Sequence, residues 1–184
     1  MSRLSIPARD DAPDASKPIL DAVAKQLGSV PNLFRLLATS PAALTGFAAL
    51  DAANAKTLDL KTRNAIALAV AQVNGCDYCL SAHTYVGINL AKISPAEAAL
   101  NRAGQSANAK TAAAARFAAD IVEARGKVSN AQIEAVRAAG YRDAQIVEIV
   151  SVAVQNVFTN LLNNVAQTDI DFPVVSASDL AAAA

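Results

Sequence analysis

The chain has 184 residues, 53% of them hydrophobic and only 17% charged, and its 16 basic and 16 acidic side chains leave no formal net charge. No Lys/Arg stripe interleaves with aromatics, which excludes the footprint of a nucleic-acid binder. The length supports one domain with a real core, or two small helical halves packed together.

Much of the hydrophobic excess is alanine, which favours close-packed helices. So apolar a chain with so few charges also implies that other subunits cover part of its surface, as in a homo-oligomer. Residues 1–15, polar with Pro7 and Pro13, read as an extended N-terminal arm. They lack the apolar run of a signal peptide and reach Asp10-Asp11 early, which points to the cytoplasm, where a structural disulfide would be unusual.

Ser16 is the expected cap of a first helix, with Pro18 in its opening turn and Gly28 at its end. Pro31 opens a short helix over 32–38, and Pro41 opens a third through Leu44, Phe47 and Leu50. Asp59 caps the next, whose apolar residues include Ile66, Leu68, Val70 and Val73. Asn74-Gly75 should break it, both residues tolerating a left-handed turn. A new helix then begins near Cys76 and runs to about Lys92. Ser94-Pro95-Ala96-Glu97 and Ser129-Asn130-Ala131-Gln132 are capping boxes. Between them a helix runs from Ala109 to Arg125, and Gly140 ends the one after. The last helix spans about Asp143 to Gln167, and residues 174–184 read as a flexible tail. No segment alternates like a strand, so the fold class is all-α and residues 1–184 form a single domain.

Residues 149–168 carry no charge and are long enough to cross a bilayer. Gln155, Asn156, Asn160, Asn163, Asn164 and Gln167 are too many amides for hydrocarbon, so the expectation is a buried helix and no membrane span. Within it, Asn156, Asn160 and Asn163 read as amides that fix subunit packing rather than as substrate ligands. An offset of 84 residues overlays Asp59 on Asp143, Val70 on Val154, and Cys76 and Cys79 on Asn160 and Asn163. Two pseudo-repeated helical halves, only one keeping the thiols, would produce this overlay, as would alanine/valine bias.

The only two cysteines and the only histidine fall within Cys76-Asp77-Tyr78-Cys79-Leu80-Ser81-Ala82-His83. Two cysteines placed at random in this length fall three apart about once in a hundred times, so composition does not explain the cluster. On a helix, positions i, i+3 and i+7 share one face, which aims both sulfurs and the imidazole the same way. The helix N-terminus favours a thiolate at Cys76, whereas His83, one turn beyond Cys79, favours proton removal there. Spacing alone leaves open which sulfur attacks first. A zinc site would need a further ligand, such as an Asp, a Glu or a neighbouring subunit's residue. Redox chemistry without metal or cofactor is the reading taken.

Residues 63–84, Arg63-Asn64-Ala65 through Gly75-Cys76-Asp77-Tyr78-Cys79-Leu80-Ser81-Ala82-His83-Thr84, strongly resemble the core of the AhpD-like alkylhydroperoxidase, or carboxymuconolactone decarboxylase, family. Pro31-Asn32-Leu33-Phe34, Ser40-Pro41-Ala42 and Asp169-Ile170-Asp171-Phe172-Pro173 are similar to its peroxidase-related branch. The resemblance implies an AhpD-like helical domain, assembly as a trimer or hexamer, and reduction of a hydroperoxide substrate through a dithiol/disulfide cycle. Carried onto this chain, Cys79 would be the peroxidatic thiol, Cys76 the resolving thiol and His83 the base. A lipoyl-bearing or thioredoxin-like dithiol electron donor would close the cycle. Two positions depart from the family pattern. Asn64 stands where a relay glutamate is common, and cannot accept and return a proton. Tyr78 stands where some members place a histidine. Glu148, which overlays Asn64 at the 84-residue offset, reads as a solvated helix residue. A non-catalytic or weakly active scaffold is therefore the rival reading, and lactone decarboxylation, which does not depend on a CxxC pair in its branch, is disfavoured.

Overall fold

The computed structural model describes residues 2–181. Its helices are α1 (Lys17–Leu27), α2 (Asn32–Leu37), α3 (Pro41–Asn54), α4 (Leu60–Val73), α5 (Asp77–Asn89), α6 (Pro95–Arg102), α7 (Ala109–Glu123), α8 (Asn130–Ala138), α9 (Asp143–Ala166) and α10 (Ser178–Ala181), with no strand among the described residues. The punctuation is local chemistry. The side chains of Ser40, Asp59, Ser94, Asn108 and Ser129 each accept the backbone N–H three residues on, satisfying donors that a helix start leaves free.

Two expected caps differ. Ser16 does not cap α1; its buried hydroxyl donates to the Ala38 carbonyl at 2.8 Å, tying the turn before α1 to the end of α2. Of the two expected capping boxes the one at Ser129 is complete and the one at Ser94 is not, because Glu97 turns away from Ser94 to accept from the Ser106 hydroxyl and the Ala107 N–H.

Helix α4 is the centre of the fold. Every residue from Asn64 to Ala71 is buried, so it is apolar nearly all round and must be surrounded. It packs against α5, α6, α7 and α9. Its seam with α7 is built from Ala65, Ala69, Ala115 and Ala119, small enough to bring the two backbones close. Helix α9 buries Ile149, Val152, Ala153, Asn156, Thr159, Asn160, Asn163 and Ala166 along one face. It is long and apolar enough to cross a membrane, but that inner face, with its three asparagines, is packed into the protein.

Both terminal segments are fastened. The N-terminal arm is held where Arg35 donates to the carbonyls of Ile6 at 3.1 Å and Pro7 at 2.8 Å, and where the Arg3 N–H donates to Ala166 O. The segment expected to be a flexible tail from residue 174 is instead docked as far as Ala177, while residues 182–184 lie outside the described residues. The strap 169–177 crosses the first half of α5. Asp77 accepts the Ala177 N–H at 2.7 Å, Ser81 Oγ accepts the Val175 N–H at 2.9 Å, and Asp171 accepts the Asn32 N–H at 2.7 Å. Phe172 packs edge-on against Tyr78, with centroids 5.9 Å apart. Backbone groups that would otherwise need water thus find side-chain partners, and the apolar residues between them are covered.

Candidate functional site

The α4–α5 turn delivers the thiols. Gly75, at φ +60°, takes the left-handed conformation that ends α4. The Gly75 N–H then returns to Gln72 O at 3.2 Å and the Cys76 N–H to Ala71 O at 3.0 Å, the paired bonds of a Schellman ending. Cys76 is at once the residue that closes this motif and the cap of the next helix. Its sulfur accepts the Cys79 N–H at 3.3 Å.

The two sulfurs lie 2.7 Å apart as free thiols, the Cys76 S–H directed at Cys79. Asn163 Nδ2, from the inner face of α9, donates to Cys79 Sγ at 3.3 Å. Burial alone would push the Cys79 thiol up. The Cys76 thiol, Asn163, Asn160 and Thr159 together outweigh it and bring the group below its ordinary value. Cys76 is pushed the opposite way, first by the proton it holds toward Cys79 and then by burial. The pair is thus polarised: the charge belongs on Cys79 and the proton on Cys76. These directions favour Cys79 over Cys76 as the thiolate, a choice that helix spacing leaves open.

His83 follows one turn after Cys79 and is partly exposed. Desolvation by its neighbours holds its pKa down to about 4, against smaller opposing effects of Asp51 and Asn156. At that value the ring is a neutral imidazole at neutral pH. The sulfurs do not share this exposure: Cys76 is 0% and Cys79 2% exposed. Helix α9 and the surrounding core close the thiol pair off from solvent.

Asn64 and Tyr78 are not joined to the thiols. Asn64 is buried over Gly87, two turns beyond Cys79, with neither polar atom of its side chain hydrogen-bonded. Tyr78 accepts the Leu33 N–H at 3.0 Å, and burial pushes its hydroxyl up, which makes it an anchor for α2 rather than a proton carrier.

Asn160 and Asn163 are the residues whose place the sequence concealed. They were expected to fix subunit packing, and instead they wall the thiol site within one chain. Asn160 Oδ1 accepts from Asn74 Nδ2 at 2.9 Å, leaving Asn160 Nδ2 unpartnered beside Cys79. Two surface clefts lie elsewhere. One, of about 940 Å³, is lined by residues including Lys56, Arg137 and Glu148; the other, of about 590 Å³, by residues including Asp59, Lys92 and Lys110. Neither is lined by a cysteine or by His83. Among the described residues no group of three or more His, Cys, Asp or Glu side chains is placed to hold a metal ion.

Residues 38–124 match the model of the carboxymuconolactone decarboxylase family. No curated protein matches the chain. Among solved structures, it is similar to the AhpD-core, peroxidase-related protein of Ralstonia eutropha JMP134, at 25% identity and TM-score 0.82 over 92% of both chains. It is also similar to a peroxidase-related protein of Silicibacter sp. TM1040, at 25% identity and TM-score 0.80 over 91% of both chains. The debrominase Bmp8 shares the fold at 19% identity and TM-score 0.76, over 97% of this chain and 94% of that one.

Proposed function

We propose that this chain, an AhpD-like member of the carboxymuconolactone decarboxylase family, is a cytoplasmic thiol-dependent peroxidase. The observation that carries the reading is the polarised pair: a Cys79 sulfur that accepts from both the Cys76 thiol and the Asn163 amide.

Neutral His83 takes the Cys79 proton, and the thiolate attacks the terminal oxygen of a hydroperoxide. The O–O bond breaks, Cys79 becomes a sulfenic acid, and the departing alkoxide takes the proton back from His83 and leaves as an alcohol. The Cys76 thiol then attacks that sulfur, forming the disulfide and releasing water. A lipoyl- or thioredoxin-like dithiol returns both cysteines to thiols and is itself oxidised.

The test is hydroperoxide consumption with a dithiol donor in excess. Wild type is expected to turn over and Cys79→Ser to be inactive. Equal background rates in both would favour the second reading, a weakly active or non-catalytic scaffold. That reading is supported by the closure of the sulfurs and by the isolation of Asn64 from them.

A further inference from the structure

The amide wall of α9 leaves two polar atoms over at the thiol site. Asn160 and Asn163 are both buried, and at a spacing of i, i+3 they share one face of the helix. Asn163 spends its nitrogen on Cys79 Sγ, and Asn160 its oxygen on Asn74 Nδ2. A donor, Asn160 Nδ2, and an acceptor, Asn163 Oδ1, remain without partners. The neighbouring polar side chains are different: Asn156 Nδ2 donates to Val152 O and Thr159 Oγ1 to Asn156 O, so their donors are turned back onto the helix itself. Buried amide groups are normally paired, and an open one costs stability. Asn74 keeps the Asn160 amide in this orientation, because turning it over would set nitrogen against nitrogen. Asn74 is itself fixed at the end of α4, its N–H on Val70 O at 3.0 Å and its carbonyl accepting from Asn164 Nδ2 at 2.9 Å.

We propose that Asn160 and Asn163 hold the oxygen that Cys79 takes from a hydroperoxide, Asn160 Nδ2 donating to that oxygen and Asn163 Oδ1 accepting its proton. The proposal rests on the peroxidase reading and assigns these two side chains to its oxidised intermediate. A reduced sulfur takes the Asn163 donor and leaves the other two atoms open. A sulfenic acid, S–O–H, needs one donor for its oxygen and one acceptor for its hydrogen, which is the pair left over. In the step that makes it, the Cys79 thiolate forms an S–O bond as the O–O bond breaks. Sulfur is oxidised, the peroxide is reduced, and the departing alkoxide takes its proton from His83. The hydroxyl stays on sulfur between the two amides until the Cys76 thiol forms the S–S bond, its proton leaving with that hydroxyl as water. Asn74 is then a positioning residue, acting on the oxygen only through the Asn160 amide.

The test uses the full chain carrying Cys76→Ser, so that the intermediate is not consumed by the second thiol. One equivalent of hydrogen peroxide is added, then dimedone after increasing delays, and the adduct mass gives the lifetime of the Cys79 sulfenic acid. Adding Asn160→Leu, which has no donor, should shorten that lifetime about tenfold. Adding Asn74→Ala instead, at a partly exposed position, frees the amide to turn and should shorten it by a smaller factor. The reduced variants should be alkylated by iodoacetamide no faster than their parent, because the wall around the sulfur stays closed. An unchanged lifetime in Asn160→Leu overturns the proposal, as does one in Asn74→Ala where circular dichroism shows that Asn160→Leu has not folded. Either result leaves the peroxidase reading standing, since Cys79 has been oxidised. A shorter lifetime with faster alkylation also overturns the proposal, by tracing the effect to a loosened wall. No adduct in any chain, the parent included, removes the peroxidase reading and the proposal with it.

Discussion

Replacing Asn163 by alanine asks whether the amide wall of α9 holds the charge on Cys79. The Asn163 Nδ2 donates to Cys79 Sγ at 3.3 Å in a buried setting, and the Oδ1 of the same amide has no partner. The substitution therefore removes one donor from the sulfur and strands no other group. A hydrogen bond to a charged group contributes about 1.5–3 kcal/mol, and sulfur, a weak acceptor, belongs at the lower end of that range. At 1.4 kcal/mol per factor of ten, the thiolate fraction below its titration midpoint should fall about tenfold. The assay is alkylation by iodoacetamide as a function of pH, in a Cys76→Ser background so that one thiol reports. The position of the curve along the pH axis is compared rather than its plateau, because a smaller side chain also changes access. Asn164→Ala, an exposed neighbour whose amide donates to Asn74 O at 2.9 Å, is the control. In Asn163→Ala the curve should move to higher pH, and in the control it should stay. Superimposable curves would refute the claim that this amide stabilises the thiolate.

His83 makes a prediction about acid. Its folded pKa of about 4 lies below the ordinary 6.5, so as pH falls through that window the unfolded chain binds a proton that the folded one refuses. Wild type should lose stability between pH 6.5 and 4 relative to His83→Gln, measured by urea midpoint, and should match the variant's pH trend above 6.5. A difference that stays flat across the window would show a normally titrating imidazole. Gly87 offers a packing test. A Cβ there would lie 2.6 Å from Asn64 Nδ2 and 2.9 Å from Ile93 Cδ1, so Gly87→Ala should destabilise by about 1–3 kcal/mol despite the better helix propensity of alanine. In an Asn64→Ala background the loss should shrink markedly; equal losses in both backgrounds would mean that Asn64 is not what crowds the glycine.

What was legible in the sequence is the local chemistry. Asp59 and Ser129 act at the helix starts where their side chains announce them, and the Asn74-Gly75 break is the turn that presents Cys76. The CxxC pair and the all-α class followed from spacing and period, which depend on neighbours in the chain. What escaped depends on residues far apart. No local pattern says that an amide in an apolar helix meets a sulfur, yet a trace was present. The overlay that set Cys79 on Asn163 was separated by 84 residues, and the two positions joined by that hydrogen bond are those same two. The closure of the sulfurs was equally hidden, since α9 and the core around α5, not the CxxC helix, cover them. Asn64 illustrates the reverse: the resemblance puts it at a position where a relay glutamate is common, and the crossing of α4 over α5 places it above Gly87.

The bond between Cys79 and Asn163 also sets an order of events at birth. Ribosomes add about 5–20 residues per second, so roughly 4–17 s separate the emergence of the second cysteine from that of the amide that tunes it. Throughout that interval the nascent chain lacks the α9 amide that later donates to Cys79, so a chain stalled or cleaved before α9 carries the two cysteines without it.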